Sequence, residues 1–448
     1  MRIFAADHVL PISSAPIKKG AIAVEGLQIA AVGEAEALKL RFPNAVFKDF
    51  GEAAIIPGFV NCHSHLEITA MRGLLDHVEN DFSAWLLALN AARQRMSNEE
   101  LEVSAVAGAI EGARAGITCF GDIGRFGKAG LEALKATGLR GIVFQETEFS
   151  PDDRTVDEDL AKLQNKFFEL RDNSDRLVKV GISPHSPYTV GAKLFEGIAD
   201  FALTENIKIT IHAAESEEER SFMEDGEGFW IDIYKKFGLE RHSPKCTSIE
   251  FLERTGILGT KPLLAHCVTV YDSDIELIRA SGSTIAHCPK SNAKFGHGWA
   301  PLERFLKARI SVGLGSDSVA SNNTCDLLEE SRFAAFVSRN HGDSDGFISA
   351  RDALELATLG GAKALGLERE IGSLQAGKQA DIAVISLSRI SQQPVSDIQA
   401  ALVFSSSAQD VIMTMVAGRK IFAAGQIIAT DEKQISKALR KIGQKLSA

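Results

Sequence analysis

The sequence predicts an α/β protein: a (β/α)8 TIM barrel accompanied by a small β-sandwich domain to which both chain ends contribute. Three observations carry this reading. From Ala54 onward, eight β-type segments alternate with amphipathic stretches of about ten to twenty residues, the rhythm of parallel strands with helical crossovers. No G-x-G-x-x-G turn follows an early strand, as the phosphate site of an open doubly wound sheet would require. The first fifty residues and those beyond 368 share one texture of short β runs and glycine turns.

Taken in order, residues 1–55 hold β-type runs at RIFAADHVL, GAIAVEGLQIAAVGE and AVFKDFGEAAII, with no helical period in the first fifty positions. Residues 56–367 form the barrel. Its strands are expected around IIPGFVNCHSH, GITCFGDI, RGIVFQETEF, VKVGISPHSPY, IKITIHAAES, KPLLAHCVTV, GSTIAHCPKS and ISVGLGSDSV. Helical patterns such as LEALKATG, DLAKLQNKFFELRD and DIELIRASG separate them. After the helical ARDALELATLGGAKALG, residues 368–430 return to strands and complete the small domain with residues 1–55. Residues 431–448 form a C-terminal helix.

A chain of 448 residues, 45% hydrophobic and 24% charged, has ample material for a large core and none of the bias of disordered or fibrous proteins. Forty-nine basic against fifty-nine acidic residues leave a net charge of −10, with no Lys/Arg cluster to neutralise phosphates, so nucleic acid is not an expected partner. The N-terminal MRIFAADHVLPISS meets Asp7 before any apolar run reaches signal-peptide length, and no stretch approaches the roughly 18 apolar residues of a membrane span. Six cysteines are scattered without a C-x-x-C pair, as small buried thiols would be. A cytoplasmic protein without membrane partners is expected; a homo-oligomer is compatible with it.

The histidines concentrate the chemistry. His63, His65, His185, His212, His266 and His287 each fall at the C-terminal end of an expected strand, the end where barrel enzymes build their sites. In His63-Ser64-His65 the two imidazoles share a face of an extended segment and can grip one ion. With His212 and Asp317 at other strand ends they supply three imidazoles and a carboxylate, a set suited to zinc or iron(II). Glu215 lies three residues past His212, placed to shuttle a proton rather than to ligate. The following Glu217, Glu218 and Glu219 read as a solvated helix start. His266 is placed to hydrogen-bond the reacting groups, and whether it also ligates stays open.

PGFVNCHSHLE, HAAES, the histidine of PLLAHC and GLGSDS resemble the signature strands of the amidohydrolase superfamily, in its mononuclear deaminase branch, over nearly the whole chain. Dinuclear members carry a carboxylated lysine after strand four, where this sequence has SPHSPY. The resemblance therefore implies one divalent ion per chain, zinc ahead of iron(II), held by His63, His65, His212 and Asp317. It further implies hydrolytic deamination: the ion activates a water that attacks a ring carbon bearing an amine, Glu215 protonates the adjacent ring nitrogen, Asp317 takes the water proton, and His266 stabilises the developing alkoxide.

Met71-Arg72-Gly73 and SPHSPYTV resemble methylthioadenosine/S-adenosylhomocysteine deaminases, in which the counterpart of His185 contacts the substrate. Leu66-Glu67 after the histidines, and Trp85-Leu86 leading to Arg93, look more like aminodeoxyfutalosine deaminases. Gln94 stands where adenosine-type relatives hold the ribose with a glutamate. The implied substrate is a small heterocycle, an aminated purine-type nucleoside bound by His185, Arg72, Arg93 and Gln94. Arg95 lies close enough in sequence to join Arg72 and Arg93 in meeting an anionic 5′ tail, which puts aminodeoxyfutalosine ahead of S-adenosylhomocysteine and methylthioadenosine. The rival readings are hydrolysis of guanine, cytosine or a triazine, and a non-catalytic scaffold, against which the intact ligand set argues.

Overall fold

Segments that read as near-continuous apolar runs become strands buried on both faces, as a parallel sheet wrapped in helices demands. The computed structural model describes residues 1–239, 241–341 and 347–448. Its barrel strands are, first to eighth, Phe59–Ser64, Ile117–Gly124, Arg140–Glu146, Val178–Ser183, Thr210–Ala213, Leu263–His266, Thr284–His287 and Val312–Leu314. They pair in parallel register as two runs of four. Parallel bridges Ile182↔Ile209 and Ser64↔Asp317 join the runs at both seams, so the barrel has no free edge.

Helices cover the outside. Asn98–Arg114 starts from a capping box in which Ser97 and Glu100 satisfy each other's backbone amides, and Gly127–Thr137 stops where Gly138 turns left-handed at φ 75°. Among the described residues no helix is long and apolar enough to cross a membrane.

The two chain ends build a single nine-stranded sheet. Arg2–Val9, Ile17–Glu25 and Gln28–Glu34 form its N-terminal meander, and Ala53–Pro57 pairs antiparallel with Ile382–Ser386, where the two ends meet. Alternation of side chains explains its two cores. Phe4 and Ala6 face Ile22, Val24, Ile382, Val384, Met413 and Met415, while Ile3 and Ala5 face the opposite side and pack with Leu38. Leu38 belongs to a helix, Ala35–Arg41, which the expectation of no helix in the first fifty residues missed. AEALKLR is made of strong helix formers, but it buries only Leu38 and so carries no apolar stripe to read.

The small domain is fastened to the bottom of the barrel by a buried ion pair. Arg140, opening the third strand, donates from Nε to Asp381 Oδ2 at 2.8 Å, and Asp381 Oδ1 also accepts from the Ala417 amide at 2.7 Å. The C-terminal helix Glu432–Ser447, capped by Asp431, buries Ile442 and Leu446.

Candidate active site

At the first strand's end His63 and His65 meet His212 from the fifth. One ligating nitrogen of each lies within 4.8 Å of the others, and His65 Nε2 is 3.2 Å from His212 Nε2. Asp317, just past the eighth strand, brings Oδ1 to 3.4 Å from His63 Nε2 and 3.5 Å from His65 Nε2. Its Oδ2 accepts from Ser291 Oγ at 2.7 Å and Ser321 Oγ at 2.6 Å. His212 donates from Nδ1 to the His185 carbonyl at 3.0 Å, which leaves Nε2 with its lone pair.

This donor set fits a divalent ion. Both ring nitrogens of His63 are buried without a hydrogen-bond partner among the described residues. Burial pulls the pKa of His63 down to about 4 and that of His65 to about 3, so both rings are neutral and offer lone pairs at pH 7. Burial pushes the Asp317 carboxyl up, but the close approach of His63, with His65 and His266 around it, outweighs burial and holds the group well below the usual carboxylate range. Neutral imidazoles converging on an ionised carboxylate are what zinc or iron(II) requires.

Glu215 stands beside this cluster, with His266 Nε2 3.5 Å from its Oε1. Burial, first among its causes, raises the Glu215 pKa to about 8. His266 donates from Nδ1 to Asn292 Oδ1 at 2.9 Å, which turns its Nε2 toward Glu215. The strand ends here are sharply bent: Ala214, His266, Cys267 and Asp317 have φ values of 52°, 72°, 48° and 54°. Residues other than glycine held in that region cost of order 1–3 kcal/mol each and gather where function needs them. Glu219 supports one such bend. It is fully buried and accepts from the amides of Ala214 and Glu215, each at 2.8 Å, which corrects its reading as part of a solvated helix start; Glu217 is exposed and Glu218 half-buried.

The cluster opens into a cavity of about 620 Å³ walled by Trp85, Phe149, Phe229, Trp230 and Phe237. His185 lines it, its Nδ1 hydrogen-bonded with Thr189 Oγ1 at 2.7 Å, and so do Arg93 and Gln94. Arg93 gives its Nε to the buried Glu67 at 2.9 Å. Arg72 is not brought there: it forms a two-pronged ion pair with Glu111 and donates to the Asn323 carbonyl, because the short helix Leu66–Met71 ends just before it and the chain turns away. Arg95 is likewise elsewhere, donating to the Lys445 and Leu446 carbonyls of the C-terminal helix. His287 is buried outside the cavity lining.

Four residues escaped the sequence reading. Arg125 follows the second strand and Glu146 ends the third, positions that the strand-end logic used for histidines covers equally well. His297 sets its ring edge-on against Phe82, with Nε2 3.9 Å from Glu215 Oε1, and Asn292 orients His266. Both come from the loop and helix after the seventh strand, where spacing carries no signal.

Comparison with known proteins agrees with this geometry. The model of the amidohydrolase family matches residues 54–421. The chain is 29% identical to the 5-methylthioadenosine/S-adenosylhomocysteine deaminase of Moorella thermoacetica, over 95% of each chain. It is 30% identical to the 5′-deoxyadenosine deaminase of Methanobrevibacter smithii, over 88% of this chain and 86% of that one. An adenosine deaminase from Xanthomonas campestris, solved with bound zinc, superposes with a TM-score of 0.85 at 26% identity, covering 99% of this chain and 98% of that one.

Proposed function

The chain belongs to the amidohydrolase family, and on that premise we propose that it is a metal-dependent deaminase releasing ammonia from a 6-aminopurine nucleoside whose 5′ substituent is uncharged. The observation that carries the proposal is the convergence of His63, His65, His212 and Asp317 beside a buried, protonated Glu215 at the floor of one aromatic-walled cavity. One zinc or iron(II) per chain, held by those four residues, would supply an activated water for attack on the amine-bearing ring carbon.

The chain's own residues do the rest. Glu215, carrying its proton at neutral pH, donates it to the ring nitrogen next to that carbon, making the carbon electrophilic. Asp317 is held by Ser291 and Ser321 through Oδ2, and its Oδ1, turned to the histidines, takes a proton from the attacking water and passes it to the departing amine, which leaves as ammonia. His266, its ring held by Asn292 through Nδ1, turns Nε2 toward Glu215 at 3.5 Å, where it hydrogen-bonds the oxygen that the water contributes. Trp85, Phe149 and Trp230 exclude water and give the purine and the 5′ group apolar surfaces.

The preference for an uncharged 5′ group replaces the expectation of an anionic tail. Of the three arginines expected to meet that tail, Arg72 and Arg95 are engaged elsewhere and Arg93 is paired with Glu67. The relative named for 5′-deoxyadenosine supports the same choice, while the one named for methylthioadenosine and S-adenosylhomocysteine covers both an uncharged and a charged 5′ group. Six unpaired, buried cysteines suit the cytoplasm.

Ammonia release over 5′-deoxyadenosine, methylthioadenosine, adenosine, S-adenosylhomocysteine, aminodeoxyfutalosine, guanine, cytosine and an aminotriazine tests the proposal, with metal content measured alongside. The expected result is about one zinc or iron per chain, loss of activity on chelation, and the highest kcat/KM on the first two nucleosides. Turnover confined to guanine, cytosine or the triazine would overturn the substrate reading and leave the metal reading intact. A metal-free active enzyme would overturn the metal reading.

A further inference from the structure

The carboxylate of Glu146, at the end of the third barrel strand, has two unlike oxygens. Oε2 accepts from Arg125 Nε at 3.1 Å, and Arg125 is itself fixed by Asn90 Oδ1 at 2.7 Å. Oε1 is buried, and no described residue donates a hydrogen bond to it. His185 Nε2 stands 4.0 Å from it, too far to satisfy it, and both residues line the catalytic cavity. Buried polar atoms are almost always paired, so an oxygen left without a donor at the wall of a substrate cavity calls for one from the substrate.

We propose that Glu146 is a specificity-determining residue whose Oε1 accepts a hydrogen bond from a donor on the substrate, a ribose hydroxyl or a ring N–H. This inference rests on the reading of the cavity as a deaminase site and names how it selects its substrate. A second metal ion is the competing occupant, because ligand atoms of Glu146, His185 and His212 lie within 4.8 Å of one another. Two contacts weigh against it. The Arg125 guanidinium already sits on Oε2, so a cation on Oε1 would meet like charge, and His212 Nε2 points at His65 Nε2, 3.2 Å away, in the first metal cluster.

The test compares kcat/KM for adenosine, 2′-deoxyadenosine, 3′-deoxyadenosine and free adenine in the wild type, Glu146→Gln and Glu146→Asp, with zinc content and melting temperature recorded for each. Calorimetric binding of inosine and its 2′- and 3′-deoxy analogues gives a readout independent of turnover. A hydrogen bond to an ionised acceptor predicts that the wild type disfavours the analogue lacking the donor by roughly 10- to 100-fold. Glu146→Gln is expected to lose most of that discrimination through a higher KM, with kcat within a few-fold and one zinc retained. Glu146→Asp, which keeps the charge but withdraws it by one methylene, is expected to lose it too. The deoxynucleosides report a hydroxyl donor, and a preference for adenine over every nucleoside reports an N–H.

Equal discrimination in all three proteins would overturn the proposal, as would a second zinc lost on mutation. If Glu146→Gln fails to fold, the wild-type series and Glu146→Asp still decide the question. If no nucleoside is turned over but an aminated base is, the nucleoside reading has failed. Glu146 is then judged by whether its variants lose selectivity for that base's N–H.

Discussion

In the proposed site, a few contacts around a side chain decide whether it ligates or transfers a proton. Glu215 touches the cluster without joining it, and burial lifts its pKa to about 8, so it is protonated below that pH and ionised above. The sign follows directly: the form that can donate to the substrate is lost as pH rises through 8. At saturating substrate, kcat should therefore fall on the alkaline side of about pH 8. Glu215→Gln should keep its metal, lose that alkaline limb, and turn over roughly 10²-fold or more slowly, the range for removal of a positioned acid. His63→Ala should instead lose the metal itself. A near-native rate in Glu215→Gln would remove the carboxylate from the mechanism. That His63, His65, His212, Asp317 and Glu215 gather at one point was legible in the sequence because histidine is scarce and strand ends are recognisable. Glu219 was not, because an acidic run reads as solvated until the left-handed turn at Ala214 exposes two amides that need an acceptor. Arg72 and Arg95 failed for the opposite reason: proximity in sequence to the first strand says nothing about which way a long side chain leaves the chain.

Single strands act through how closely they approach one another. The first and eighth strands bring His63 and Asp317 together, and the seam between them is tight enough to need glycine. A Cβ on Gly315 would stand 2.6 Å from the His63 Cβ and 3.0 Å from both the His63 carbonyl oxygen and Cys288 Sγ. None of those atoms is the far end of a flexible side chain, so Gly315→Ala must push the seam apart. Overpacking of this kind costs about 1–3 kcal/mol. The expected outcome is a lower melting temperature together with a weakened metal site, read by zinc competition with a chromophoric chelator. Unchanged zinc affinity would show that the ligands do not depend on this approach. The eight strands themselves were readable because burial on both faces leaves apolar runs between helical periods. The helix Ala35–Arg41 was not, since one buried leucine makes no period.

At the scale of the whole molecule, the question is how a barrel and a sheet drawn from both chain ends are held together. Texture alone indicated that the ends join. It could not indicate which residues pair, because Ala53–Pro57 and Ile382–Ser386 are separated by the entire barrel and their register depends on contacts between distant segments. The fastening at the barrel's bottom is equally non-local. Arg140 and Asp381 are each about 3% exposed, and Asp381 serves the Ala417 amide as well. Removing Asp381 leaves the buried Arg140 only the more exposed Glu370, 3.5 Å away, which is costlier than removing both partners of the buried pair. Asp381→Ala should thus destabilise by about 3–5 kcal/mol, and the double change Arg140→Met with Asp381→Ala should recover part of the loss even though it deletes more hydrogen bonds. Thermal and urea midpoints of the two variants check this, with zinc content at 25 °C expected to stay near the wild-type value because the pair lies at the opposite end of the strands from the site. A double variant no more stable than the single one would mean that the fastening works through the Ala417 hydrogen bond rather than through paired charge.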